Sequence, residues 1–280
     1  MKGIMVQGTS SSVGKSLVAT ALCRLFYNEG FRVAPFKAQN VTPHFYINKG
    51  GEKIAKSQAI QAKAAQTKPS VLMNPTSLTF GTNQSEINLL GKSEGKFHGK
   101  DHSNSAYETW IKVIQSSLHQ LEKQYNLIVA EGAGSPVELN LKAHDVANMK
   151  TAELADVPVL LVADINKGGV FASITGTLAL LEPEEMKRVE GIIINKFHGD
   201  KAQFQDGISL IEQISQIPVL GVLPYIEHNI EEEDDAVLLA DDPGANTSSL
   251  PSDQEIDYLA HQMRQHLDWD RILGIVEQWG

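Results

Sequence analysis

Cysteine occurs once in these 280 residues, at position 23. A single thiol can neither close an intramolecular disulfide nor build a cysteine metal cluster, which sets aside disulfide-stapled scaffolds and zinc ribbons. Clustered positive charge is missing too: 24 Lys and Arg stand against 34 Asp and Glu, a net charge of -10, and no basic run interrupts the chain. A nucleic-acid backbone or an anionic membrane calls for the opposite balance, so neither is an expected partner. No stretch approaches the ~20 apolar residues of a membrane span. The opening MKGIMVQGTSS turns polar too soon for a signal peptide, and the expectation is a cytoplasmic protein. The nine histidines show no HExxH or similar ligand spacing, so zinc is not expected. What remains is 42% hydrophobic and 21% charged, enough apolar material for a sizeable core.

Short apolar runs recur along the chain: GIMVQ (3–7), RVAPF (32–36), LIVAE (127–131), VPVLLVAD (157–164), GIIIN (191–195) and PVLGVLP (218–224). Runs without polar alternation suit strands buried on both faces. Between them, SLVATALCRLFYNEG, YETWIKVIQSSLHQLEKQY and KAQFQDGISLIEQISQ carry apolar residues at three- and four-residue spacing, as amphipathic helices do. The alternation predicts an α/β fold with a mostly parallel sheet flanked by helices. Residues 38–106 break the rhythm with polar and small residues and one helix-like piece, KIAKSQAIQAKAA, and read as an insertion over the carboxyl edge of the sheet, where α/β ligands bind. The expected organisation is a nucleotide-binding domain at 1–228, an acidic and Gly/Ser/Pro-rich linker at 229–253, and a helical tail at 254–280. In that tail Ile256, Leu259, Met263, Leu267, Ile272 and Ile275 fall on the core-facing spacing.

The stretch GTSSSVGKS at 8–16 follows an apolar strand and opens a helix. It has one residue more than the usual P-loop spacing between Gly8 and Gly14, yet keeps the order that phosphate binding needs. Backbone N–H groups from Gly8, Thr9, Ser12, Val13 and Gly14 and the helix N-terminus would face the phosphates, Lys15 would neutralise the β and γ oxygens, and the Ser16 hydroxyl would ligate Mg²⁺. Glu131 ends a predicted strand before the small residues GAGS, and Asp164 ends another before INKGG, both at the place for a Mg²⁺ carboxylate; either could instead cap the next helix. Lys37 ends RVAPFK, where a second ammonium could meet a transferring phosphate or simply be solvated. Asn195 closes GIIIN; its amide suits a purine edge, and equally a turn.

With these residues assembled, the chain resembles the ATP-binding synthetase domain of the cobyric acid synthase family, a relative of dethiobiotin synthetase. The likeness runs through MVQGTSSSVGKS, RVAPFKAQN, the QAIQAKAA helix, MNP at 73–75, EGAGSPVELNL, LLVADINKGGVFASITGTLALL, IINKFHGD and PVLGVLPY. It implies a P-loop ligase that phosphorylates carboxylates of a corrin ring with Mg²⁺-ATP and lets ammonia displace the phosphate. Lys15, Lys37 and Glu131 would be catalytic, Ser16, Glu131 and Asp164 would hold the metal, and Asn195 and Pro224 would meet the base. Gln39, Asn40, Gln58 and Asn74 would line the acceptor side. Family members continue into a glutaminase domain with a nucleophilic cysteine. Cys23 lies on the apolar side of the helix after the P-loop, so ammonia is expected from solution or from a separate glutaminase subunit. The segment EIDYLAHQMRQHLDWDRIL resembles the one that closes full-length members. The chain departs from the family pattern where KAQN continues as VTPHFYIN, and at AKSQ and SLTF. Because 44–88 should face the acceptor, these changes predict weak binding of cobyrinic acid diamide beside normal ATP binding. From a different class, a repurposed relative that only binds or hydrolyses ATP stays open, as does a homodimer. A ParA-like partitioning ATPase fits less well, since Ser10 stands where that group has its signature lysine.

Overall fold

The computed structural model describes residues 1–42, 44–48, 50–80, 85–97, 104–230 and 250–279. Most of the acidic stretch expected to be a linker, 231–249, lies outside the described residues, as does Pro43.

The chain opens with β1 (Lys2–Gly8), α1 (Lys15–Asn28) and β2 (Val33–Phe36), and the insertion follows as β3 (Gln39–Val41), β4 (Phe45–Ile47), β5 (Lys53–Ala55), α2 (Lys56–Ala64), β6 (Thr76–Phe80), β7 (Ser85–Leu89) and β8 (Lys92–Phe97). Then come α3 (Asn104–Glu122), β9 (Leu127–Glu131), α4 (Met149–Ala155), β10 (Val159–Asp164), α5 (Val170–Leu180), α6 (Pro183–Met186), β11 (Val189–Phe197), α7 (Gln205–Ser215) and β12 (Val219–Pro224). The chain closes with α8 (Asp253–Arg264) and α9 (Trp269–Gln278). Six strands form one sheet in the order β12-β11-β10-β1-β9-β2, every pair parallel. All six apolar runs became these strands, because a strand covered by helices on both faces has no polar side to alternate with.

Side chains alternate across β1: Ile4 and Val6 join a core with α1, α8 and α9, while Met5 faces a second core with α3, α4, α5 and α7. The P-loop leaves the central strand, with β9 and β10 on either side of it, so Glu131 and Asp164 reach the same carboxyl edge. Adjacent strands leaving in opposite directions open the crevice that α/β proteins use for ligands.

The insertion departs from its sequence reading. Besides the expected helix it contains a four-stranded sheet, β3-β6-β7-β8, and the antiparallel pair β4-β5. Strands of three to six residues with mixed polarity carry no usable period; pairing defines them. The C-terminal segment is two helices where one continuous helical pattern was expected. The chain breaks at Asp268, whose N–H donates to the Leu220 carbonyl of edge strand β12 at 2.7 Å and whose carboxylate caps α9 through Arg271 N–H. That pairing covers a strand edge that would otherwise stay open. The restart shifts the phase: Ile256, Leu259, Met263, Leu267 and Ile272 are buried as expected, but Val276 takes the fully buried place and Ile275 is only partly covered.

Helix α8 docks on α1 through charge as well as apolar surface. The buried Arg24 guanidinium meets Asp253 at 2.6 Å and Asp257 at 3.3 Å, and Gln66 also donates to Asp253. The Arg24 hydrogen bond holds the Asp253 carboxyl below its usual range. A lowered folded-state value means that this contribution is present above the ordinary carboxylate range and is lost as pH falls through the lowered one. The double substitution Asp253→Asn, Asp257→Asn leaves Arg24 buried without a counter-charge. Because both acids are more than half exposed, water screens part of the effect. Thermal denaturation at pH 7 should show a midpoint lower by about 3–6 °C, and the gap to wild type should narrow below about pH 4.

Candidate active site

The P-loop bends from Gly8, where a Cβ would meet Val13 Cγ2 at 2.6 Å, into α1. Ser12 and Gly14 adopt positive φ values of 57° and 94°, turning successive backbone N–H groups toward one side as anion-binding nests do. Gly14 is the N-cap of α1 and supplies no side-chain acceptor. The positive end of that helix is therefore left for a phosphate, and the cradle fits a nucleotide. Lys15 folds back over the loop, its Nζ donating to the Ser10 carbonyl at 3.0 Å. Thr9 N–H, expected to face the phosphates, is instead tied to β10 through the Val162 carbonyl at 2.9 Å, because the loop is still paired with that strand as it leaves β1.

Behind the loop the strand ends deliver the acids. Glu131 is fully buried, and its Oε1 accepts from Ser16 Oγ at 2.7 Å and from Lys37 Nζ at 3.0 Å. Its Oε2 accepts from Gln61 Nε2 at 2.5 Å. The expected trio of Ser16, Lys37 and Glu131 is thus assembled, with Lys37 ion-paired to the carboxylate. Asp164 accepts from Asn166 N–H at 2.8 Å, an Asx turn, while its buried Oδ2 has no hydrogen-bond partner among the described residues. No cluster of three or more His, Cys, Asp or Glu side chains able to hold a metal occurs among the described residues. A hydroxyl, one or two carboxylate oxygens and no closed cage fit Mg²⁺, which keeps waters and takes phosphate oxygens as ligands. When bound, it would neutralise phosphate oxygens, with Ser16, Glu131 and Asp164 as its protein side.

Two candidates serve the frame of the site. Asn195 stands beside Asp164 in the β10–β11 register, and its Nδ2 donates to the Val13 carbonyl at 2.8 Å. That amide nitrogen braces the P-loop. Asn74 is likewise committed to backbone, donating to the Lys37 and Thr76 carbonyls and accepting from Ala55 N–H. It ties the end of β2 to β5 and β6. Of the residues expected on the acceptor side, Asn40 donates to Gln58 Oε1 at 2.7 Å, and Asn40 Oδ1 and Gln58 Nε2 have no partner among the described residues. Gln39 Nε2, on the preceding residue of β3, has none among them either. Pro224 ends β12 opposite Phe197, at the edge expected for the base.

Sequence reasoning missed Gln61 and Lys196. Lys196 Nζ donates to the Ser12 carbonyl at 2.7 Å and stands 3.9 Å from Asp164 Oδ2. The signal for it was its place directly after Asn195; the φ of 59° at Lys196 is visible only in the structure. Cys23 is fully buried, and burial, with Glu131's charge adding to it, pushes its thiol far above the ordinary range. A thiol so placed is no nucleophile.

A glycine-rich turn from a central parallel strand into an uncapped helix, with lysine, serine and carboxylates converging on it, defines a P-loop nucleotide-binding α/β protein. Residues 4–239 match the CobQ/CobB/MinD/ParA nucleotide binding domain, and the chain belongs to that family. It is 44% identical over 257 residues to "Cobyric acid synthase" of Desulfitobacterium hafniense (strain DSM 10664 / DCB-2), covering 91% of this chain and 50% of the relative. It is 47% identical over 249 residues to the protein of the same name from Herpetosiphon aurantiacus, covering 88% and 51%. The chain spans about half the length of the curated relatives it matches. Among solved structures, the MinD cell division protein of Aquifex aeolicus aligns with a TM-score of 0.43 at 14% identity, over 95% of this chain and 98% of that one. That likeness is too loose to identify a closer relative.

Gly14 is the tightest point of the cradle. A Cβ there would stand 2.2 Å from Asn195 Nδ2, on a φ of 94° that L side chains rarely adopt. Gly14→Ala should weaken ADP binding about tenfold or more in calorimetry, as the loop gives up its geometry to relieve a backbone strain of order 1–3 kcal/mol. Adding Asn195→Ala relieves the clash but not the dihedral, so the double variant should recover only part of that loss.

Proposed function

We propose that this chain is the synthetase part of a cobyric acid synthase-like amide ligase, built on a P-loop fold of the dethiobiotin synthetase type. It would use Mg²⁺-ATP to activate a carboxylate on a polycarboxylate acceptor of the corrin class. The observation that carries the reading is the buried Glu131, where the P-loop (Ser16), the end of β2 (Lys37) and the insertion (Gln61) meet on one carboxylate. Nucleotide side and acceptor side thereby share a hinge point, as a direct transfer between bound partners requires.

In the proposed reaction an acceptor carboxylate oxygen attacks the γ-phosphorus in line, and the bond to the bridging oxygen breaks to release ADP. Lys15 neutralises the β and γ oxygens, and Lys37, beside Glu131, faces the transferring group from the β2 edge. Ammonia then attacks the acyl carbon, phosphate leaves with the bonding pair, and the nitrogen loses a proton to give the amide. Water competes for the acyl phosphate, so the insertion must exclude it. Cys23, the one cysteine of these 280 residues, is too buried to serve a glutaminase, so in this reading they draw on ammonia made elsewhere.

A second reading, ATP binding or hydrolysis without amidation, is favoured by the changes that follow Asn40. His44, Phe45 and Tyr46 lie half-buried at the β4–β5 hairpin, where larger side chains reshape the acceptor rim.

The test incubates the protein with ATP, ammonium and cobyrinic acid diamide and follows ADP release and amide products by mass spectrometry. Products should form slowly, limited by acceptor binding, and only when ATP and ammonium are both present. Lys15→Ala should lower the rate at least about 100-fold, and glutamine should not replace ammonium. ATP turnover without any amide product would favour the second reading.

A further inference from the structure

Gln61 has no assigned role, yet it is the residue through which the insertion grips Glu131. It is fully buried on α2, and its Nε2 makes the hydrogen bond to Oε2 while Ser16 and Lys37 share Oε1. We propose that Gln61 is a positioning residue that sets the plane of the Glu131 carboxylate for the Mg²⁺ site, tying it to the acceptor-side insertion. The inference rests on the reading of Ser16 and Glu131 as the protein side of that site.

Three observations carry it. A carboxylate gripped at one oxygen can still swing about that contact; a donor at the other oxygen fixes the plane, and metal ligands generally owe their orientation to such outer partners. Next, α2 is not built as an ordinary core helix. Lys56, Ser57, Gln58 and Gln61 are buried along with its alanines and Ile60, and Gln61 Oε1 has no partner among the described residues. Leaving a fully buried amide oxygen unpaired is unfavourable, and an apolar residue of similar length would avoid that cost. The gain lies at the other end of the amide, on Glu131. Finally, Gln58 stands one turn before Gln61 and so shares its side of the helix. Gln58 accepts from Asn40, which sits opposite Ser77, itself opposite Asn88, in a buried row across β3, β6 and β7. One short helix therefore links the small sheet of the insertion to the phosphate-side carboxylate.

The test uses Gln61→Met, which keeps length and volume and removes the donor, and Gln61→Glu, which sets a second carboxylate against Glu131. ADP affinity is measured by calorimetry without divalent cation and across a Mg²⁺ series, with thermal denaturation alongside. The expected result is unchanged Mg²⁺-free ADP affinity in Gln61→Met, with the Mg²⁺-dependent gain in affinity reduced about tenfold, as for loss of a ligand-orienting outer partner; Gln61→Glu should lose more of that gain. Variants that keep the wild-type Mg²⁺ dependence would overturn the proposal. So would variants that lose Mg²⁺-free binding and melting temperature in parallel, the pattern of a residue that only packs. A wild type with no Mg²⁺-dependent gain would instead remove the reading of the metal site itself, and this inference with it.

Discussion

The carboxylate of Glu131 is the charge around which this molecule is arranged. It is fully buried at the end of β9, and its desolvation, worth several kcal/mol for an ion in a protein interior, is offset only by well-aligned partners. Those partners come from α1, from the residue after β2 and from α2. Burying the acid therefore obliges the P-loop helix, the sheet edge and the insertion to converge. A buried ion pair adds little net stability compared with apolar packing of the same volume. What the Lys37–Glu131 pair supplies is placement.

The phosphate cradle is set from the opposite side by β11. Register places Asn195 next to Asp164, and from there Asn195 and Lys196 each donate to a P-loop carbonyl, at Val13 and Ser12. These bonds occupy carbonyl oxygens that would otherwise repel a phosphate. The same contact calls for glycine at position 14, since Asn195 fills the space a side chain would need, and the φ of 94° calls for it independently. A cradle shaped by its own scaffold reorganises little when charge arrives, which is the condition under which backbone dipoles stabilise a transferring phosphoryl group best.

The central sheet and its site were legible in the sequence for one reason. Strands covered on both faces appear as unbroken apolar runs, and in a parallel sheet the residue ending each run sits on the ligand edge. Lys37, Glu131, Asp164 and Asn195 could thus be placed by counting. The insertion obeys no such rule. Its strands are held by pairing rather than by an apolar face, and α2 mixes alanine with buried amides, so periodicity pointed to a helix but not to which glutamine touches the acid. Asn74 and Asn195 show the related limit: residue type and position mark an amide as important without saying whether it holds ligand or backbone. In the C-terminal segment the apolar spacing ran true through Ile272, across the break at Asp268, and failed only in the last turn, where Val276 and not Ile275 is fully buried.

Those last helices bear on the site through α1. Of the 14 residues of α1, 11 are buried, because the sheet covers one side and α8 much of another. Lys15 and Ser16 open this helix, while Arg24, in its second half, anchors α8. Trp269 of α9 packs on Phe26 and donates to Glu29 at the helix end. A helix fixed along its length cannot tilt at one end without disturbing the other. The C-terminal pair therefore stiffens the element whose N-terminus receives the phosphate, and the Arg24 cluster belongs to the mechanical support of the P-loop even though its acids lie far from that loop along the chain.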